Sequence, residues 1–119
     1  MQKQALIPAD EAPIIQLPHC ELKWICHDDI NPTKELATGF ATFQAGNGHD
    51  KHYHPNAEEV IYVLRGQSQQ GLEDKVFEMK AGDSIHIPKG AIHWTKNAGG
   101  GELEILVVFS SPTPETVDL

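Results

Sequence analysis

The stretch HYHPNAEEVIYVLRG, residues 52–66, opens with metal-capable side chains and closes as an apolar run. His52 and His54 stand two apart, so an extended chain sends both imidazoles from the same face. Such a pair can hold one metal ion through both rings, but surface histidines produce the same spacing often. Two carboxylates, Glu58 and Glu59, follow the turn-forming pair Pro55-Asn56, which resets the face the chain presents. Glu59 shares a face with Ile61 and Val63, and Glu58 shares one with Val60, Tyr62 and Leu64. Both faces are apolar, so periodicity leaves open which glutamate returns to the histidines. A further imidazole, His93, lies just beyond Pro88-Lys89-Gly90. Proline presets φ and glycine accepts unusual backbone, so that corner holds the side chain after it at low entropic cost.

Strands must position these donors. Apolar residues do not recur at helical spacing; short apolar runs alternate with Gly, Pro, Asn and Asp, which is all-β punctuation. ELKWICH puts Leu22, Trp24 and Cys26 on one face, and ELATGFATFQ reads as a strand with Gly39 at a kink or close approach. SQQGLE and KVFEMKAGD read as a strand pair, SIHIPKG as a short strand, and ELEILVVFSSP as a long one stopped by Pro112. Strands at this spacing predict a sandwich or barrel. The runs Val60–Leu64 and Ile105–Phe109 are apolar on both faces. One face packs inside and the other needs a cover, from a neighbouring segment or a partner chain; a homodimer is the economical expectation. The tail PTPETVDL, residues 112–119, is proline-rich and polar and is expected to be loosely ordered.

The donors and glycines together resemble the two motifs of a small single-domain cupin. The first motif is matched by Gly46, NGHDK, His52-Tyr53-His54, PNAE, Glu59, VIYVLR and Gly66. The second is matched by Gly82, DSIHI, Pro88-Lys89-Gly90, AI, His93, WTK and Asn97. The resemblance implies an all-β, double-stranded β-helix (a jelly-roll-like barrel) with one metal inside, held by His52, His54, Glu59 and His93. It also implies the choice of glutamate, because Glu59 stands at the motif's distance from Gly66 and Glu58 does not.

Three imidazoles and a carboxylate suit one divalent transition metal (Fe, Mn, Ni, Co or Zn) better than Ca or Mg. The lack of a thiolate weakens the case for a purely structural zinc. Four protein ligands on an octahedral ion leave room for a bidentate substrate, or for one substrate oxygen plus dioxygen. The expected function is a metal-dependent enzyme of dioxygenase or isomerase/lyase type, acting on a small oxygenated molecule bound inside the barrel. The alternative is a non-catalytic sensor or carrier of a sugar or organic acid; a structural protein with a relict site is the third reading.

His86 alternates with Ile85 and Ile87. It points outward if the isoleucines face the core; with the faces reversed it lines the cavity as a candidate catalytic acid/base. His49, in the loop GNGHDK, is expected to be solvated, the alternative being a group behind the ligands or a proton shuttle. Trp94 reads as a packing residue, with a place at the pocket mouth as the alternative, Tyr62 as packing or interface, Tyr53 as facing away from the metal, and Asn97, Gly66, Gly82, Pro88 and Gly90 as architecture.

A chain of 119 residues is expected to form one domain, 1–119, with its core barrel over roughly 20–111. With 17 acidic against 9 basic residues the net charge is −8, which argues against nucleic acid and against an anionic membrane as partners. Lys51, Arg65, Lys89 and Lys96 do not cluster, and no glycine-rich phosphate loop is present, so a carboxylate or neutral substrate is favoured over a nucleotide. The start MQKQALIPADEAP has no apolar signal core, which predicts a cytoplasmic protein. Cys20 and Cys26 fit a reducing compartment, and their spacing matches neither a zinc knuckle nor a redox pair.

Overall fold

Strict alternation of side chains along three neighbouring strands builds the barrel wall. In the computed structural model, which describes residues 2–119, every second residue of β3 (Ala37–Phe43) and β10 (Leu103–Phe109) is buried. Met1, the first residue of the expected domain, lies outside the described residues. β5 (Glu59–Arg65) buries Glu59, Ile61 and Val63 and turns Val60, Tyr62 and Leu64 outward. The remaining strands are β1 (Ile14–Gln16), β2 (Glu21–Cys26), β4 (Gly48–Tyr53), β6 (Gln67–Leu72), β7 (Lys75–Lys80), β8 (Ser84–Ile87), β9 (His93–Asn97) and β11 (Val117–Asp118). They form a six-stranded sheet in the order β1-β2-β3-β10-β5-β8 and a five-stranded sheet in the order β11-β4-β9-β6-β7. Adjacent strands run antiparallel. A short 3₁₀ turn at Ala9–Glu11 is the single helical element among the described residues. The core lies between the sheets, with Phe43, Val63, Ile87, Leu103 and Phe109 among its members.

The turns follow the expected chemistry. Gly66, between β5 and β6, sits at φ +92°, and a Cβ there would press on the Glu102 carbonyl. Gly39 is a close-approach point: a Cβ would meet the Lys23 carbonyl at 2.9 Å and the Trp24 ring at 3.2 Å. Asn97 fastens the loop into β10, donating to the carbonyls of Phe43 (3.1 Å) and Gly101 (2.8 Å) while Gly99 N–H donates to its Oδ1 (3.0 Å).

Two expectations are corrected. Cys26 does not share the face of Leu22 and Trp24: a register shift pairs Trp24 with Gly39 but Cys26 with Thr38, one step out of phase. The tail 112–119 is not loose. β11 pairs with β4, Leu119 N–H donates to Lys51 O (3.1 Å), and Glu115 N–H donates to Asn56 Oδ1 (2.8 Å). Backbone hydrogen bonds hold a segment whose composition alone suggests disorder.

Candidate metal centre

Register brings the histidines together. His52 on β4 lies directly opposite His93 on β9, with ring centroids 4.1 Å apart. His54 follows β4 immediately; its carbonyl accepts from Gly90 N–H (3.0 Å), which fastens the Pro88-Gly90 corner to the first histidine pair. Glu59, the first residue of β5, points inward from the other sheet. Its Oε1 lies 3.2 Å from His54 Nε2 and 3.1 Å from His93 Nε2. All four side chains are buried. Donor atoms of the three histidines fall within 4.8 Å of one another.

Each Nδ1 is occupied by a backbone carbonyl: Asp50 for His52 (2.6 Å), Glu115 for His54 (2.9 Å) and Ala91 for His93 (2.9 Å). A carbonyl oxygen only accepts, so each Nδ1 carries the hydrogen. The arrangement fixes ring orientation and directs the three Nε2 atoms to a common point, the outer support that metal-ligating histidines require. These three buried histidines can hold a metal ion.

Electrostatics fit a cation. Burial, then the neighbouring His93 and His49, lowers His52 to about 3, so its ring is neutral. Burial works against charge on His54, but the hydrogen bond and charge of Glu59 outweigh it, and its pKa is raised. Burial pushes the Glu59 carboxyl up; hydrogen bonds from His54 and His93 overcome that and hold it near 2. A buried carboxylate thus faces a cluster of imidazoles, the charge balance that a divalent cation would complete.

The donors open into a cavity of 120 Å³ inside the barrel. This is well under the roughly 300–1,000 Å³ of drug-sized ligand sites. Its walls are mostly apolar, with Leu22 and Trp24 from β2, Phe43 from β3, and Ile105, Val107 and Phe109 from β10. Beyond the four candidate ligands, its polar groups are His19, His49, Cys20, Thr95 and Thr116. Burial pushes the Cys20 thiol up to about 11, so it is a neutral thiol. Among the described residues no lysine or arginine lines this space.

Other residues fall as follows. His86 is on the outer face, 56% exposed, with Nε2 2.7 Å from Glu58 Oε1. Ile87 takes the buried position, so His86 is not a cavity residue, and the acid/base role conditional on that placement is withdrawn. Glu58 turns to solvent beside it. Trp94 lies on the outer side of its sheet, its indole over Gly71, away from the cavity. His49 is not solvated as expected. It lines the cavity, stacks on His52 (centroids 3.5 Å, 5° between planes) and pairs through Nε2 with Asp118 Oδ1 (2.8 Å). His19, which the sequence pattern did not single out, stacks on His49 at 3.9 Å. Burial lowers its pKa, as does His49, against opposing effects of Asp118 and Asp50.

Two antiparallel sheets closed into a jelly-roll barrel, with three inward histidines beside a buried carboxylate, define a metal-binding β-barrel class. Residues 39–109 match the cupin domain, and the chain belongs to that family. It is 33% identical over 82 residues to germin-like protein subfamily 2 member 2 of Arabidopsis thaliana, covering 65% of this chain and 37% of that protein. It is 31% identical over 91 residues to the uncharacterized protein MJ1618 of Methanocaldococcus jannaschii, covering 76% of this chain and 73% of that one. The oxalate decarboxylase of Lactobacillus farciminis shares the fold, with a TM-score of 0.84 at 23% identity over 92% of this chain and 34% of its own. The chain thus spans about a third of the germin-like protein and of the decarboxylase.

Proposed function

We propose that the protein is a metal-dependent enzyme acting on a small oxygenated molecule bound at a metal inside the barrel. His52, His54, Glu59 and His93 hold one divalent transition metal. The observation that carries this reading is the cluster of three buried imidazoles, each fixed by a carbonyl on its Nδ1, with a buried carboxylate beside His54 and His93. When bound, the metal supplies Lewis acidity and a template for substrate oxygens. The chain's residues do the rest: apolar walls exclude water, and the small volume limits the substrate to a few non-hydrogen atoms. With no lysine or arginine lining the cavity among the described residues, recognition falls to the metal and to the polar edges of His19, His49 and Thr95. Mn(II) centres occur in the Bacillus subtilis oxalate decarboxylase, which shares the fold, and this supports manganese as one candidate. Elemental analysis of freshly purified protein, followed by substrate screening under the metal found, tests the proposal. Full turnover after complete metal removal would end it. Oxygen consumption on substrate addition separates a dioxygenase from an isomerase or lyase.

The mostly apolar wall also suits a binding module for a small organic acid or sugar. Ligand-induced thermal stabilisation with no product by NMR would favour that second reading. The outer face of β5, where Val60, Tyr62 and Leu64 are 37–39% exposed, supports a homodimer through the six-stranded sheet.

A further inference from the structure

We propose that the segment Pro114–Asp118 is a strap whose docking is coupled to metal occupancy at His54. Glu115 and Thr116 act as positioning residues. The inference rests on the reading of His54 as a metal ligand.

The three histidines differ in where their outer support comes from. His52 and His93 take it from Asp50 and Ala91, each two residues upstream. Those carbonyls belong to the same turn or strand as the histidine and are present whenever the strand is formed. His54 takes its support from Glu115 O, 61 residues downstream, with the Thr116 hydroxyl 3.2 Å from the same nitrogen. One of the three histidines therefore depends on a remote segment for its ring orientation.

The same segment is a wall of the site, since Pro114 and Thr116 line the cavity. Its attachment is light. Residues 115–119 are all exposed, and they are held by hydrogen bonds to Asn56, His49 and the edge of β4. Asn56 is the anchor on the barrel side: its Oδ1 accepts from Glu115 N–H, and its Nδ2 donates to Thr113 O (3.0 Å). Segments held by exposed backbone bonds and few buried apolar contacts sit at the low end of local stability. The docked strap is thus easily biased by a change at His54.

Above the raised His54 value, where the metal-free ring is neutral, a cation on His54 Nε2 draws electron density from the ring and makes Nδ1–H a stronger donor to Glu115 O. By linkage, whatever tightens the strap when metal binds also tightens metal when the strap is docked. Undocking releases the ring and opens the cavity wall together.

The test uses the full chain and two variants. Hydrogen exchange by mass spectrometry is followed across residues 113–119, above the pH at which metal-free His54 loses its proton, with and without Mn²⁺ and, separately, Zn²⁺. Affinity for each ion is measured by chelator competition in the full chain, in a chain ending at Thr113, and in Asn56→Ala. The coupling predicts slower exchange of the strap on metal addition, and about 10–100-fold weaker metal binding in both variants. A strap that is only architectural leaves its exchange indifferent to metal. Equal affinity in the variants together with unchanged strap exchange overturns the inference while leaving the metal site intact. A full chain that takes up neither ion overturns the reading beneath it, and the strap coupling with it. Should the truncated chain fail to fold, Asn56→Ala and exchange in the unaltered chain still decide.

Discussion

Glu59 reaches across the barrel to His93, with Oε1 3.1 Å from Nε2, although 34 residues separate them in the chain. Its neighbour Glu58 faces the opposite way, toward His86. This division makes the pair a test of the site. Glu59→Gln keeps the shape but removes the charge, and it is expected to weaken metal binding beyond the roughly 10–100-fold loss typical of an outer partner. Glu58→Gln is expected to leave metal content unchanged. Elemental analysis after dialysis against a weak chelator checks both. Unaltered stoichiometry in Glu59→Gln would show the carboxylate to be a bystander.

Metal affinity is expected to fall with acidification. His52, held near 3 by burial and its imidazole neighbours, is already neutral and ready to ligate. His54, raised above 6.5 by Glu59, must give up its proton first. Binding therefore releases protons, and affinity weakens as pH falls through the raised His54 value. Titration calorimetry in buffers of different ionisation enthalpy reads the protons released. No release near neutral pH would contradict the raised His54.

The metal-free protein has its own pH signature. His52 is depressed from 6.5 to about 3, so its contribution to stability is present above 6.5 and lost as pH falls toward 3. Glu59 is depressed from 4.5 to about 2, so its contribution is lost between those values. His54 has the opposite sign: its contribution is present below 6.5 and lost as pH rises through its raised value. The melting temperature of chelator-treated protein is expected to fall steadily from about pH 6.5 downward, with a smaller decline on the alkaline side. A flat profile between pH 6.5 and 4 would count against the burial of a neutral His52.

Gly71→Ala is expected to destabilise the fold by about 1–3 kcal/mol, the range for overpacking a filled site. Gly71 on β6 lies beside Trp94 on β9, and a Cβ would enter the indole. Thermal unfolding reads the loss, and metal content is expected to stay unchanged because Trp94 is outside the cavity. Adding Trp94→Ala is expected to recover part of the Gly71→Ala loss; strict additivity would dismiss the clash.

For the homodimer, Tyr62→Glu is expected to convert a micromolar dimer into a monomer in size-exclusion chromatography with light scattering. A monomeric unaltered protein under those conditions would remove the proposal.

The two motifs made the strands, the corner at Pro88-Gly90 and the inward turn of Glu59 legible in the sequence. They succeed because glycine positions pin the register, and register sets which face each donor takes. His49 escaped for a physical reason. It stands three residues before His52, and a regular strand would send the two to opposite faces. A register shift between them breaks the parity and stacks both on one side. The same kind of shift displaced Cys26. The tail escaped because it is held by its backbone: Glu115 supports His54 through a carbonyl and is fastened through its own N–H, groups every such residue has. His19 carries no periodic signal, since Pro18 and the approach to β2 fix its place.

The strand at the middle of the six-stranded sheet is the last of that sheet to be synthesised. β10 lies between β3 and β5, so until residues 103–109 emerge, β1-β2-β3 and β5-β8 are separate fragments. His52, His54, Glu59 and His93 are all translated earlier. Ile105, Val107 and Phe109, which wall the cavity, arrive after them. Closure needs pairings distant in sequence, which are slow to form, so the barrel completes itself only once residues 103–109 have emerged. A nascent chain stalled before residue 103 would carry every proposed ligand, on two sheets not yet closed against each other, open to the metal ions around it.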